Sequence, residues 1–177
     1  AQVPQVADPD QETRQAVTAT VAALRRLRAE GRGGEAHAVL VEAASWPVGH
    51  FPVLAAELSR AGLDADWTTL LWEAGSLPTD RLVVLADTLM AHGMAADGGR
   101  LLRQGVARSP SHVGEAVLAL MDEGRRREAH ELLDACVRSR TAEDAARCAR
   151  GDPRRLVPLL TQAAQAVSEA CHWDLLH

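Results

Sequence analysis

The apolar positions of this chain follow a pattern that repeats every 31 residues. A glycine marks each period, at Gly31, Gly62, Gly93 and Gly124. A leucine stands four positions before each glycine, an acidic residue four positions after it, an apolar pair eight and nine positions after it, and a small residue twelve positions after it. The leucines are Leu27, Leu58, Leu89 and Leu120, the acids are Glu35, Asp66, Asp97 and Glu128, and the small residues are Ala43, Ala74, Gly105 and Cys136. Such an internal repeat is typical of proteins that stack copies of one structural unit.

Each period predicts two helices joined by a tight turn. In residues 11–30 the apolar side chains recur at steps of three and four, which is the period of an amphipathic helix. Gly31 is expected to end this helix, because glycine adopts the left-handed conformation at a helix C-terminus without steric cost. In the second helix Ala36, Leu40 and Ala43 lie on one apolar stripe.

Serine and proline mark the boundaries between units. The tripeptides Ser45-Trp46-Pro47, Ser76-Leu77-Pro78 and Ser109-Pro110-Ser111 follow the second helices, and we expect the serines to act as caps and the prolines to occupy first helical turns. The predicted organisation is a flexible leader at 1–8 and a single helical-repeat domain at 9–177, with units at 14–46, 47–77, 78–109, 110–140 and 141–167 and a partial sixth at 168–177.

The fifth unit departs from the period. Thr141 and Asp144 form an imperfect capping box that predicts a helix start, and Gly151, 27 residues after Gly124, limits that helix to about 142–150. Pro158 is expected to kink or restart the next helix. Residues 168–177 are predicted to begin a sixth first helix.

The predicted fold is all-α, an α-solenoid of about five stacked helix-turn-helix repeats, because one hairpin cannot bury both of its apolar faces. The acid-alanine pairs Glu35-Ala36 and Glu128-Ala129, with the apolar pair that follows each, resemble the tetratricopeptide and pentatricopeptide class over residues 14 to about 140. That resemblance implies a curved scaffold that binds a peptide or another protein. The positions matching the RNA code of pentatricopeptide proteins carry no polar set, since they hold Ala22, Val53, Val84 and Glu115.

Composition limits the partners. The net charge of −5 disfavours phosphate backbones and anionic lipid, so nucleic acid is an unlikely partner. No run of about 18 apolar residues is present, and no membrane association is expected. Three widely spaced cysteines favour a reducing, cytoplasmic compartment over a disulfide framework. The chain begins with Ala1 and ends within apolar helical spacing, from which we expect it to be part of a larger protein.

The sequence offers little catalytic or cofactor chemistry. It contains no lysine and no phosphate-binding, dinucleotide-binding, zinc-protease or nucleophile-elbow motif, so we predict a protein that is not an enzyme and holds no cofactor. Cys136, Cys148, Cys171 and His172 are residue types that zinc prefers, but they lack the paired spacing of a zinc site. We therefore predict buried free thiols and no metal.

Four tryptophans stand out beside one phenylalanine and no tyrosine. Trp46 and Trp72, with Phe51, could form an exposed aromatic patch for a partner. Alternatively, Trp46 staples a turn and Trp67, which replaces a small residue of the other units, fills a gap between hairpins.

The turn after Gly124 is rich in arginine. Arg125 and Arg126, followed by Arg127, could bind an acidic segment or a phosphate, or could be solvated residues at a helix end. The function predicted overall is a non-catalytic protein-protein interaction or regulatory scaffold within a larger bacterial protein. Its partner would be another protein, a peptide or a neighbouring domain, and a homo-oligomer is compatible. The alternative is a ligand- or nucleic-acid-sensing arm of a signalling or defence protein that uses the Arg-rich turns.

Overall fold

The structure, a computed structural model, describes the backbone of residues 9–176 and the side chains of residues 10–169. Within that part of the chain there are ten helices and no strand. The helices are α1 (Pro9–Ala29), α2 (Gly33–Ala43), α3 (His50–Arg60), α4 (Asp64–Ala74), α5 (Thr79–Ala91), α6 (Ala95–Val106), α7 (Pro110–Asp122), α8 (Arg126–Ser139), α9 (Ala142–Arg147) and α10 (Pro153–Leu176). The prediction of an all-α protein is confirmed.

The four periodic glycines build four copies of one turn. All four have positive φ, between 71° and 83°. In each turn the residue after the glycine donates its amide to the carbonyl of the periodic leucine, which stands four positions before the glycine, at 2.8 or 2.9 Å. The glycine donates its own amide to the carbonyl of the residue after that leucine, at 3.1 or 3.2 Å. This is the Schellman arrangement, which satisfies carbonyls left open at the helix end. The leucines are buried, which explains why both leucine and glycine recur at fixed positions.

The residue after each glycine also begins the next helix. Arg32, Leu63, Met94 and Arg125 are the N-caps of α2, α4, α6 and α8, and none caps with its side chain. Each of their carbonyls accepts the first backbone hydrogen bond of the new helix, from an amide four positions later in the chain, at 3.0 to 3.2 Å. Three residues separate the two helices in every period, and each period folds as a helical hairpin.

The chain divides into two compact units, one ending at Leu77 and one beginning at Pro78. In the first unit α1 packs on α3 and α2 packs on α4. In the second unit α5 packs on α7, α6 on α8, α7 on α9 and α8 on α10. Within each unit, first helices therefore contact first helices and second helices contact second helices.

Small residues allow close contacts inside the hairpins. A Cβ atom at Gly98 of α6 would lie 2.5 Å from Met90 Cγ and 2.6 Å from the Ala86 carbonyl oxygen of α5. The small residues twelve positions after the periodic glycines are all buried. The small residue that recurs in the sequence is therefore a residue of the helix contacts.

Ion pairs join neighbouring hairpins within each unit. In the first unit Arg28 of α1 bonds to Asp66 of α4, with Nε 3.4 Å from Oδ2, and Asp66 is buried. In the second unit Arg127 pairs with Asp87 at 2.6 Å and Arg81 with Glu123 at 2.8 Å. Sequence analysis missed these pairs. Their spacing of 38 to 42 residues, which is one period plus about two to three helical turns, is a signal that could have revealed them.

Serine plays a different role from the one predicted. The Ser45 hydroxyl donates to the Glu42 carbonyl at 2.8 Å, and Ser109 Oγ lies 3.0 Å from His112 Nδ1, so neither side chain caps the following helix. Pro110 does occupy the first position of α7. The predicted helix start at Thr141 is confirmed, since Thr141 Oγ1 accepts a hydrogen bond from the Asp144 amide at 3.2 Å.

In the C-terminal region, the predicted restart of a helix at Pro158 and the predicted start of a sixth unit at residue 168 are both wrong. A single helix, α10, runs through both Pro158 and the position where a sixth unit was expected to begin. One proline removes only one amide from the hydrogen bonds of this helix, and the helix continues beyond it. The Ser168 hydroxyl donates to the Ala164 carbonyl at 2.9 Å, so this serine is a mid-helix residue and not a cap. Residues 1–8, predicted as a flexible leader, and His177 lie outside the described residues.

None of the helices described here combines the length and the apolar content needed to cross a membrane.

Candidate interaction surface

Two large apolar side chains are exposed at equivalent positions of the first two hairpins. Val41 lies ten residues after Gly31 and is 46% exposed, and Trp72 lies ten residues after Gly62 and is 74% exposed. Because α2 packs on α4, equivalent positions of these helices lie side by side, with packed helix axes typically about 8–10 Å apart. Val41 and Trp72 are therefore exposed at equivalent positions of two helices that pack on each other.

The pattern of α4 determines which way Trp72 faces. Leu70, Leu71 and Ala74 are buried and direct one side of the helix toward the core. Successive residues of an α-helix are rotated by about 100°, which places Trp72 on the side opposite these three. The exposure of Trp72 is thus a consequence of the apolar stripe of α4.

The side chains before Trp72 on the same face offer few free hydrogen-bonding groups. Thr68 and Thr69 lie four and three positions before Trp72 and are its neighbours on the helix surface. Their hydroxyls donate to the carbonyls of Asp64 and Ala65 at 3.2 and 3.1 Å. We call Val41, Thr68, Thr69 and Trp72 the Trp72 surface.

A polar contact borders this surface. His37 Nε2 of α2 lies 3.3 Å from Glu73 Oε1 of α4, and the contact becomes an ion pair when the histidine is protonated. The pair ties the two helices together beside Trp72. In the second unit the positions equivalent to Val41 and Trp72 hold Arg103 and Asp134, so the apolar pair belongs to the first unit.

The predicted aromatic patch of Trp46, Phe51 and Trp72 is not formed as expected. Phe51 is only 1% exposed and packs in the core of the first unit, so it cannot contact a partner. Trp46 is half-buried in the connection between α2 and α3, and its ring stands edge-to-face with the His50 ring, with centroids 5.7 Å apart. This matches the alternative in which Trp46 staples a turn. Trp67 is half-buried as well.

Most arginines of the predicted arginine site form ion pairs with carboxylates of this chain. Arg125 is half-buried and pairs with Glu123 at 3.4 Å and with Glu128 at 3.3 Å. Arg127 pairs with Asp87. Arg126 is exposed and has no ion pair among the described residues. The turn after Gly124 therefore presents one available guanidinium where three were possible.

A groove in the second unit was not anticipated. It has a volume of about 440 Å³ and lies between α6 and α8, with Leu102, Val106 and Ala135 among its lining residues. Arg140 borders it and donates hydrogen bonds to the carbonyls of Val106, at 2.6 Å, and of Arg108. These bonds satisfy carbonyls at the C-terminus of α6, which gives Arg140 a structural role.

The carboxyl group of Glu131 lies close to that of Asp87 in the second unit. Burial, followed by charge repulsion from Asp87 and a hydrogen bond with it, raises the pKa of Glu131 to about 7 against the opposing charge of Arg127. The Glu131 carboxyl must therefore be largely protonated below neutral pH.

No group of described residues is arranged to hold a metal ion.

The chain matches no protein family, no curated protein and no solved structure. Its function must therefore be argued from the geometry of its own surfaces, since a helical fold by itself does not specify an activity.

Proposed function

We propose that this chain is a non-catalytic protein-protein interaction module and that the Trp72 surface binds its protein partner. The observation that supports the proposal is the 74% exposure of Trp72, together with the exposure of Val41 at the equivalent position of the helix on which α4 packs. Tryptophan is enriched among the residues that dominate binding energy at protein interfaces. Burying each large apolar side chain gains about 1.5–3 kcal/mol, a gain that the isolated chain does not obtain.

The architecture we propose is a solenoid of hairpins of the tetratricopeptide type. Four turns of the same geometry and the regular helix contacts within each unit support it. Proteins of this architecture present extended surfaces to other chains. The partner would be another protein, a peptide or a neighbouring domain, and the free thiols Cys136 and Cys148 favour a reducing, cytoplasmic compartment.

Phosphate recognition by the Arg-rich turn has less support. Two of its three arginines pair with carboxylates, and a phosphate would have to break those pairs. The net charge of −5 opposes any polyanion as well.

The proposal is tested by affinity capture from an extract of the source cells, with bound proteins quantified by mass spectrometry. The arms are the wild type, Trp72→Ala, Val41→Ser and Arg126→Ala. We expect the two apolar variants to lose the same bound proteins, at least tenfold, while Arg126→Ala retains them. Melting temperatures should agree across the arms, because all three side chains are exposed. Unchanged capture by Trp72→Ala would refute the proposal.

A further inference from the structure

Two cysteine sulfurs meet inside the second unit. Cys136 lies in α8 and is fully buried, and Cys148 directly follows α9 and is 3% exposed. Their Sγ atoms are 3.5 Å apart. Sequence analysis predicted buried free thiols, and both are free and buried, but their contact across twelve residues was not foreseen. Only a folded α8–α9 arrangement brings them together.

The backbone around Cys148 is held in place by a close contact. A Cβ atom at Gly114 of α7 would lie 2.1 Å from the Cys148 carbonyl oxygen, so only glycine permits this approach. The N-terminus of α9 is fixed by the Thr141 cap. Cys136 occupies the small-residue position of its hairpin, which faces the core. The sulfurs are therefore neighbours because of backbone packing, and they do not depend on flexible side chains to meet.

The electrostatics of the pair favours one thiolate. A hydrogen bond from Cys136 lowers the pKa of the Cys148 thiol, and the positive charge of Arg140 lowers it further, against the opposing effect of burial. The same hydrogen bond, together with burial, raises the pKa of Cys136. Cys148 is thus the nucleophilic sulfur and Cys136 the proton-bearing one.

We propose that Cys136 and Cys148 are a site of reversible oxidative modification, at which a hydroperoxide converts the two thiols into an intramolecular disulfide. The sulfurs need to approach from 3.5 Å to about 2.0 Å, which is a shift of about 1.5 Å. With the backbone held in this way, the shift requires rotation of the two cysteine side chains.

The reaction balances with the hydroperoxide as the only oxidant. The Cys148 thiolate attacks one peroxide oxygen, the O–O bond breaks, and a sulfenic acid and an alcohol or water result after protonation. The Cys136 sulfur then attacks Cys148 Sγ and loses its proton, while the S–O bond breaks and hydroxide leaves as water. Two thiols and one peroxide give one disulfide, one water and one alcohol or second water. A dithiol reverses the step by thiol-disulfide exchange.

The modification would lock one part of the second unit. α8 packs on α6, α7 and α10, whereas α9 is a single short helix that packs on α7, α8 and α10. A disulfide would join α9 covalently to α8 and reduce the conformational freedom of the unfolded chain. The oxidised protein should therefore unfold at a higher temperature than the reduced protein.

The experiment treats the full chain with stoichiometric hydrogen peroxide at neutral pH, followed by non-reducing peptide mapping. Every arm carries Cys171→Ser, so that no third thiol competes. We expect a peptide pair linked through Cys136 and Cys148, a mass loss of about 2 Da, loss of both titratable thiols and a melting temperature raised by several degrees. Dithiothreitol should reverse all four changes.

Two variants assign the roles of the sulfurs. With Cys136→Ser, Cys148 should stop at a sulfenic acid that dimedone traps, and with Cys148→Ser, Cys136 should react at least tenfold more slowly than Cys148 does. The proposal fails if the Cys171→Ser parent keeps both thiols under peroxide, or if it forms sulfinic acid without the linked peptide. Because the parent alone decides this, a variant that does not fold leaves the test intact.

Discussion

At the scale of single residues, two adjacent glycines of α6 have opposite expected roles. A Cβ atom at Gly98 would overlap Met90 and the Ala86 carbonyl, so Gly98→Ala should destabilise the protein by about 1–3 kcal/mol. At Gly99 the nearest atom is Arg103 Nη1 at 3.4 Å, the end of a flexible side chain. Gly99→Ala should therefore stabilise by about 0.5–1 kcal/mol through helix propensity. Urea unfolding of both variants measures the difference, and equal effects would contradict the packing argument.

Glu131 makes stability depend on pH near neutrality. Its folded pKa of about 7 lies above the ordinary 4.5, so the folded state favours the protonated form. That stabilisation is complete below pH 4.5 and is lost as the pH rises to about 7. Glu131→Gln keeps a hydrogen-bond donor toward Asp87 without the charge. We expect the variant to be more stable than the wild type by about 1 kcal/mol at pH 8, because partial exposure weakens the effect, and nearly equal to it at pH 5.

Urea midpoints measured between pH 5 and pH 8 test this expectation. Glu143→Gln is the matched control, since its carboxyl is 82% exposed and pairs only with Arg147 on the same short helix. Its difference from the wild type should stay nearly constant over the range. A constant difference for Glu131→Gln would show that protonation of Glu131 does not contribute to stability.

Burial of individual side chains was the least predictable property at this scale. Phe51 and Trp72 both lie in apolar helical patterns, yet one is 1% and the other 74% exposed. Exposure depends on which helix packs on which face, and a single helix does not contain that information. For the same reason, the partners of Arg28 and Arg127 could not be identified before the hairpins were placed side by side.

At the scale of elements, the periodic glycine is a backbone requirement. A Cβ at Gly62 would meet no atom within 4 Å, so any cost of Gly62→Ala comes from its φ of 72°. We expect a loss of about 1–2 kcal/mol. Gly49 also has open space, but its φ of −62° and ψ of −18° are values that alanine adopts without strain, so Gly49→Ala should be neutral or stabilising by up to about 1 kcal/mol. Chemical unfolding compares the two, and similar losses would mean that the left-handed turn is not the cause.

The helical turns could be predicted because the residues that form each turn are close together in the sequence. The Schellman turn involves residues within six positions of each other, and its leucine and glycine are visible in the sequence as a fixed pair. The C-terminal helix was misjudged because Pro158 and Ser168 are also local signals, and here each has an alternative. Pro158 costs one hydrogen bond, and Ser168 satisfies its hydroxyl within the helix. Whether a proline or a serine ends a helix therefore depends on whether the residues after it continue the helix.

At the scale of the whole molecule, net charge and the exposed apolar pair predict different responses to salt. A chain of charge −5 binds a phosphate ligand only through its arginines, and that affinity falls steeply as salt rises. Binding through Val41 and Trp72 depends on apolar area and should be nearly constant between about 50 and 500 mM NaCl. We therefore expect proteins captured by the Trp72 surface to remain bound across this range and to be lost on Trp72→Ala.

The paired variant Arg125→Ala with Arg126→Ala completes the salt experiment. It removes the available guanidinium of Arg126 and the Arg125 pair with Glu128, and it leaves the first unit unchanged in sequence. Capture that is independent of salt and unaffected by this variant is expected if the apolar pair carries the interaction. The opposite result would be capture that disappears at high salt and in the arginine variant while Trp72→Ala binds normally. That result would assign partner binding to the Arg-rich turn, because binding through charged groups is weakened by salt and by loss of the arginines.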